Sequence, residues 1–114
     1  VLNSEIARVA YELNRAYQAA IGEKEGPAWD DCEHQERDAL ARAVNFHRHS
    51  TLTFAESHEL WMKNRKEEGW TWGAQKDAKH KLHPCMVHWN ALPTSQRVKD
   101  VLFTTIVKLL RDIG

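Results

Sequence analysis

Residues 57–93 read SHELWMKNRKEEGWTWGAQKDAKHKLHPCMVHWNALP. Three of the five tryptophans, Trp61, Trp70 and Trp72, stand early in this run. Histidines and basic side chains interleave with them: His58, Arg65, Lys76 and His83. An ordinary helical core has no need of that mixture. A pocket that stacks a planar ring and holds an anionic group does.

The start of the run is helical. Thr53 followed by Glu56 is a capping box, and Phe54, His58, Trp61 and Arg65 then fall at successive one-turn steps. Gly69 sits where a helix-ending glycine is favoured. Residues 70–89 lose the helical period and contain Gly73 and Pro84. They read as an extended loop, with two short strands around Trp70–Trp72 and Met86–His88. Loops longer than about 12–15 residues are either functional or disordered, and this one is too aromatic for disorder. Trp70, Trp72 and Pro84 are expected to build the fold, with Gly69 and Gly73 allowing tight turns. Leu92-Pro93-Thr94 opens a last helix whose apolar face is Val98, Val101, Leu102, Thr105, Ile106, Leu109 and Leu110.

Two further helices precede the run. Ile6, Val9, Ala10, Leu13, Ala16, Tyr17, Ala20 and Ile21 form one stripe. Ser4 is its expected N-cap and Gly22 its C-terminal glycine, with Gly26-Pro27 as the following breaker. The second helix is expected over Cys32–His49, capped by Asp30 or Asp31, with Ala39, Leu40, Ala43, Val44 and His47 on one face. The fold class is therefore mainly α: about four helices, with the long loop before the last. Its 114 residues make one domain.

Sixteen basic and sixteen acidic residues cancel. No global charge drives the chain toward DNA, RNA or an anionic membrane. No apolar run approaches the roughly 20 residues of a spanning helix, and no secretory signal is present. An opening on Val1 instead of Met fits an excised or trimmed domain. Cys32 and Cys85 form no CxxC pair and read as buried or free thiols, consistent with a cytoplasmic protein.

Seven histidines raise the question of a metal. His47 and His49 are two apart, His80 and His83 three apart, and no HExxH occurs, so no metal site is expected. Cys85 has His83 and His88 close in sequence, but no nucleophile signature surrounds it. Asp30-Asp31 is explained by a helix N-terminus. No catalytic constellation emerges, and the chain is read as a non-enzyme without a cofactor. For the row His58–Trp61–Arg65 two readings stand. In one, Trp61 packs in the core and Arg65 snorkels outward. In the other, Trp61 stacks a planar ring while His58 and Arg65 supply hydrogen bonds or charge.

At these residues the sequence resembles the ryanodine receptor domain (RyR domain) family. These domains occur as tandem pairs in large calcium-release channels and as stand-alone or fused domains in bacteria and phages. The matching positions are His58, Glu59, Trp61, Gly69, Trp70, Trp72, Gly73, Lys76, Asp77, Leu82, His83, Pro84, Trp89, Leu92 and Pro93. The upstream IARVAYELNRAYQAAIG and the downstream RVKDVLF also resemble stand-alone members. Trp72 departs from a usual tyrosine. Lys76 departs from a common arginine, which reduces a bidentate anion contact to a point charge.

The resemblance implies a mostly helical fold clasped by an extended loop, and no channel pore. It implies that the HExW tryptophan stacks a ring in a groove between paired repeats. Carried over residue by residue, the ligand site is His58, Trp61, Arg65, Lys76 and His83. A lone repeat would rebuild the pair as a homodimer, with two copies of Trp61 across a two-fold axis. The implied function is a non-enzymatic module for a nucleotide-like small molecule, as a second-messenger sensor or sponge. The rival reading is a protein-interaction scaffold whose aromatic loop docks a partner.

Overall fold

The computed structural model describes residues 1–113. Helix α1 runs over Asn3–Ala20. Its N-cap is Leu2, two residues before the expected Ser4, which lies inside the helix. Leucine offers no acceptor, so the Glu5 carboxylate reaches back to the Leu2 N–H at 3.3 Å. Gly22 follows the helix at φ 80°, the left-handed position that glycine takes without strain.

Helix α2 runs over His34–His49 and starts later than expected. Asp30 and Asp31 do not cap it. With Trp29 they form a separate 3-10 turn, Trp29–Asp31, and the N-cap of α2 is Glu33. The turn is fixed from α1: the Trp29 N–H donates to Glu12 Oε1 at 2.8 Å, and Arg15 holds the other Glu12 oxygen at 2.6 Å. These bonds favour the charged carboxylate and lower its pKa. Tyr11 completes the attachment. Its ring centroid lies 5.7 Å from that of Trp29, and its hydroxyl donates to the Pro27 carbonyl at 2.6 Å.

Helix α3 runs over Phe54–Glu67 and α4 over Thr94–Leu110. Between them lie β1 (Thr71–Trp72), β2 (Leu82–His83) and a 3-10 turn at Trp89–Ala91. The mainly α expectation therefore holds, with four α-helices among the described residues.

The chain divides into two compact units, Val1–Thr51 with Val98–Gly114, and Leu52–Arg97. In the first, α1 packs along α2, and Ile6, Ala7, Trp29, Val44 and Val107 form the buried core. Phe103, Ile106 and Leu110 of α4 pack against this core. The buried face of α4 is thus rotated from the expected one: Thr104 is buried and Leu109 is 65% exposed. Arg48 ties the ends of this unit, donating to the Val1 and Arg111 carbonyls and to Asn3 Oδ1.

In the second unit, β1 and β2 pair in parallel, Thr71 with Leu82 and Trp72 with His83. The second strand was expected at Met86–His88. That segment instead leads into the 3-10 turn, with the Asn90 N–H bonded to His88 Nδ1 at 3.2 Å. Leu82 is committed to pairing because it also exchanges two backbone bonds with Asp77, both 2.9 Å. Among the described residues no helix is long and apolar enough to cross a membrane.

Candidate functional site

The capping box places α3. Glu56 N–H bonds to Thr53 Oγ1 at 3.2 Å, and Thr53 N–H to Glu56 Oε1 at 2.9 Å. The Thr53 N–H, together with the Thr53 side chain, holds the Glu56 carboxyl below its usual pKa. The helix ends in a left-handed Gly69 at φ 93°, with the Trp70 N–H returning to the Arg65 carbonyl at 2.9 Å. Between these ends, one helical row carries Phe54, His58, Trp61 and Arg65.

His58 is buried at 5% exposure. Its Nε2 lies 2.7 Å from the Val87 carbonyl, so that nitrogen carries the proton and donates. This bond fastens the loop to α3. The His58 ring stacks on Trp61 with centroids 5.5 Å apart and planes at 22°. Trp89 closes on the other neighbours of the row, 5.8 Å from His58 and 6.4 Å from Phe54.

The loop brings His83 to the same tryptophan. The two ring centroids are 5.0 Å apart at 75°. The Cys85 N–H donates to His83 Nδ1 at 3.0 Å, which leaves the neutral imidazole proton on Nε2. Burial pulls the His83 pKa below its ordinary value, and the charges of Lys76, Arg65 and His58 lower it further. Trp70 lies edge-on to His83 at 6.2 Å, and the Arg65 guanidinium stands 5.9 Å from the Trp70 centroid. Arg65 also pairs with Glu68 at 2.9 Å.

His58, Trp61 and His83 are therefore in direct ring contact, and Arg65 reaches them through Trp70. Lys76 is exposed and does not touch the rings, although its field acts on His83. It lines a shallow, open depression of about 580 Å³ with Ala74, Gln75, Asp77, Ala78 and Leu82. Trp70 and Trp89 belong to the aromatic cluster but were not among the expected site residues. Their aromatic character at motif positions was the available signal. Trp72 was expected to build the fold; its backbone belongs to β1, but its side chain does not pack in the core and the residue is 57% exposed. Trp61 is half-buried, with His58 occupying one side of its ring.

Among the described residues, no three His, Cys, Asp or Glu side chains converge as a metal site requires. A model of the RyR domain matches residues 39–114, from within α2 through α4. α1 precedes that match. With two thirds of its length in the match and the motif residues gathered around one tryptophan, the chain belongs to the RyR domain family, a family of ligand-binding or interaction modules.

Proposed function

We propose that this chain is a non-enzymatic, cytoplasmic module that binds a nucleotide-like small molecule, acting as a sensor or a sponge of a signalling nucleotide. One observation supports this reading above the others. A half-buried indole, Trp61, has His58 stacked on it and His83 in T-shaped contact, while two cations, Arg65 and Lys76, act on the His83 imidazole. A base would stack on the side of Trp61 that His58 leaves uncovered. Phosphate would meet the Arg65 and Lys76 charges and the His83 Nε2–H. A homodimer, with two Trp61 faces across a two-fold axis, would enclose such a ligand more fully.

Calorimetry against adenine and guanine nucleotides, including cyclic and ADP-ribose-like forms, tests the reading. Stacking on an aromatic is worth about 1–3 kcal/mol per base, so Trp61→Ala should weaken binding by roughly ten- to a hundredfold. Arg65→Ala and Lys76→Ala should weaken anionic ligands more than neutral ones and lessen the salt dependence. No binding by any nucleotide, or full affinity in Trp61→Ala, would leave the scaffold reading. Light scattering at high micromolar concentration tests the dimer, and a strict monomer with and without ligand would exclude it.

A further inference from the structure

The parallel ladder leaves one edge of β1 open. Thr71 N–H bonds to the Lys81 carbonyl at 2.9 Å and Gly73 N–H to the His83 carbonyl at 3.3 Å. Trp72 lies between them, so its own N–H and C=O point away from β2. They have no hydrogen-bond partner among the described residues. β2 has no such edge, because Leu82 exchanges its bonds with Asp77 on its far side.

The open edge carries an anchor and a charge. The Trp72 side chain is 57% exposed. Residues 73–83 hold three lysines, Lys76, Lys79 and Lys81, against one acid, Asp77. Asp77 is already engaged: its two oxygens accept from His80 N–H at 3.2 Å and His80 Nδ1 at 2.7 Å. Lys81 is turned back onto the Glu68 carbonyl at 2.6 Å. Lys76 and Lys79 are exposed and have no ion-pair partner among the described residues. Lys76 lines the shallow depression that Leu82 of the ladder also borders.

From these features we infer that the Trp72 edge of β1 is a docking surface for an extended acidic peptide segment of a partner protein. Its backbone adds to the sheet beside Trp72, its apolar side chains pack on the exposed indole, and its carboxylates meet Lys76 and Lys79. The open backbone edge selects a peptide over a nucleic acid. A nucleic acid would use the indole and the lysines but has no amide ladder to pair with the Trp72 N–H and C=O.

The probe is a fluorescein-labelled (Glu-Val)5 peptide, read by anisotropy at low and moderate salt. Three comparison probes are a (Lys-Val)5 peptide, a fully backbone-N-methylated (Glu-Val)5 and a single-stranded thymidine decamer. The expected result is binding of (Glu-Val)5 that strengthens as salt falls, with no measurable binding of (Lys-Val)5 or the N-methylated peptide. Trp72→Ala and Lys76→Glu should each weaken it about fivefold or more, with an anchor residue carrying a large share of such an interface. Both side chains are exposed, and circular dichroism checks that the fold is kept. Trp61→Ala should leave (Glu-Val)5 binding unchanged, which separates this surface from the stacking site with which it shares Lys76. Failure of (Glu-Val)5 to bind, equal binding of the N-methylated peptide, tighter binding of the thymidine decamer, or loss of peptide binding in Trp61→Ala would each overturn the inference.

Discussion

The imidazole of His58 lies against the indole of Trp61 at 5.5 Å and 22° while its Nε2 donates to the Val87 carbonyl 2.7 Å away. One buried side chain thus sets the ring proposed to stack a ligand and fastens the loop that carries His83. His58→Ala would leave a cavity and take the donor from the Val87 carbonyl. The expected loss is about 2–4 kcal/mol in urea unfolding. His58→Gln, which keeps a donor, should lose less. An alanine variant as stable as the parent would show that the Val87 bond does not hold the loop.

Gly73 sets how closely β1 meets β2. A Cβ at this position would come 2.6 Å from the Leu82 Cβ, a distance that real contacts do not tolerate. The strands would have to separate, so Gly73→Ala should cost about 1–3 kcal/mol, as overpacking does. Thermal unfolding measures it. An unchanged melting temperature would mean that the ladder adjusts without loss.

The helices were legible because a packed face repeats every three or four residues. Ile6 and Ala10 of α1 and Val44 of α2 were recognised as buried positions on this basis. The capping box at Thr53 and Glu56 was legible because its chemistry is local. The second strand was not legible. Two residues in a parallel pair have no period, and their register depends on the absent Cβ of Gly73 and on the Asp77–Leu82 bonds. The Trp29–Asp31 turn was missed for a related reason: the carboxylate that fixes it, Glu12, lies seventeen residues upstream. Among the site residues, His58, Trp61 and Arg65 were readable from one helical row. The approach of His83 depends on the loop path, and composition alone could not distinguish the half-buried Trp61 from the exposed Trp72.

Lys81 has φ 54°, the left-handed region, and is the lone non-glycine residue there among the described residues. Its ammonium donates to the Glu68 carbonyl at the end of α3. Lys81→Ala loses that bond and keeps the backbone strain. Lys81→Gly loses the bond but relieves the strain, by about 1 kcal/mol. The alanine variant should therefore melt below the glycine variant. The reverse order would show that the left-handed backbone carries no penalty here.

Two histidines set the response to acid. Burial lowers the pKa of His47, helped by the nearby charge of Lys108, and burial followed by Lys76, Arg65 and His58 lowers that of His83. His47 Nδ1 is buried without a hydrogen-bond partner, and its ring packs edge-on to Phe46 and Phe103. A proton on this Nδ1 would have no acceptor. Because both folded-state pKa values are depressed, the unfolded chain takes up protons first as pH falls. Their contribution to stability is fully present above the ordinary histidine pKa of about 6.5 and is lost as pH falls through the lower folded values. Urea unfolding should therefore show lower stability at pH 5.5 than at pH 7.5. The lowered carboxylates Glu12, Glu56 and Asp77 add an acid loss of the same sign, but at lower pH. His47→Leu removes one titrating group at similar volume and should flatten the change between pH 7.5 and 5.5. An undiminished slope in that variant, or a parent that gains stability on acidification, would contradict the assignment of His47 as a half-buried imidazole with a lowered pKa.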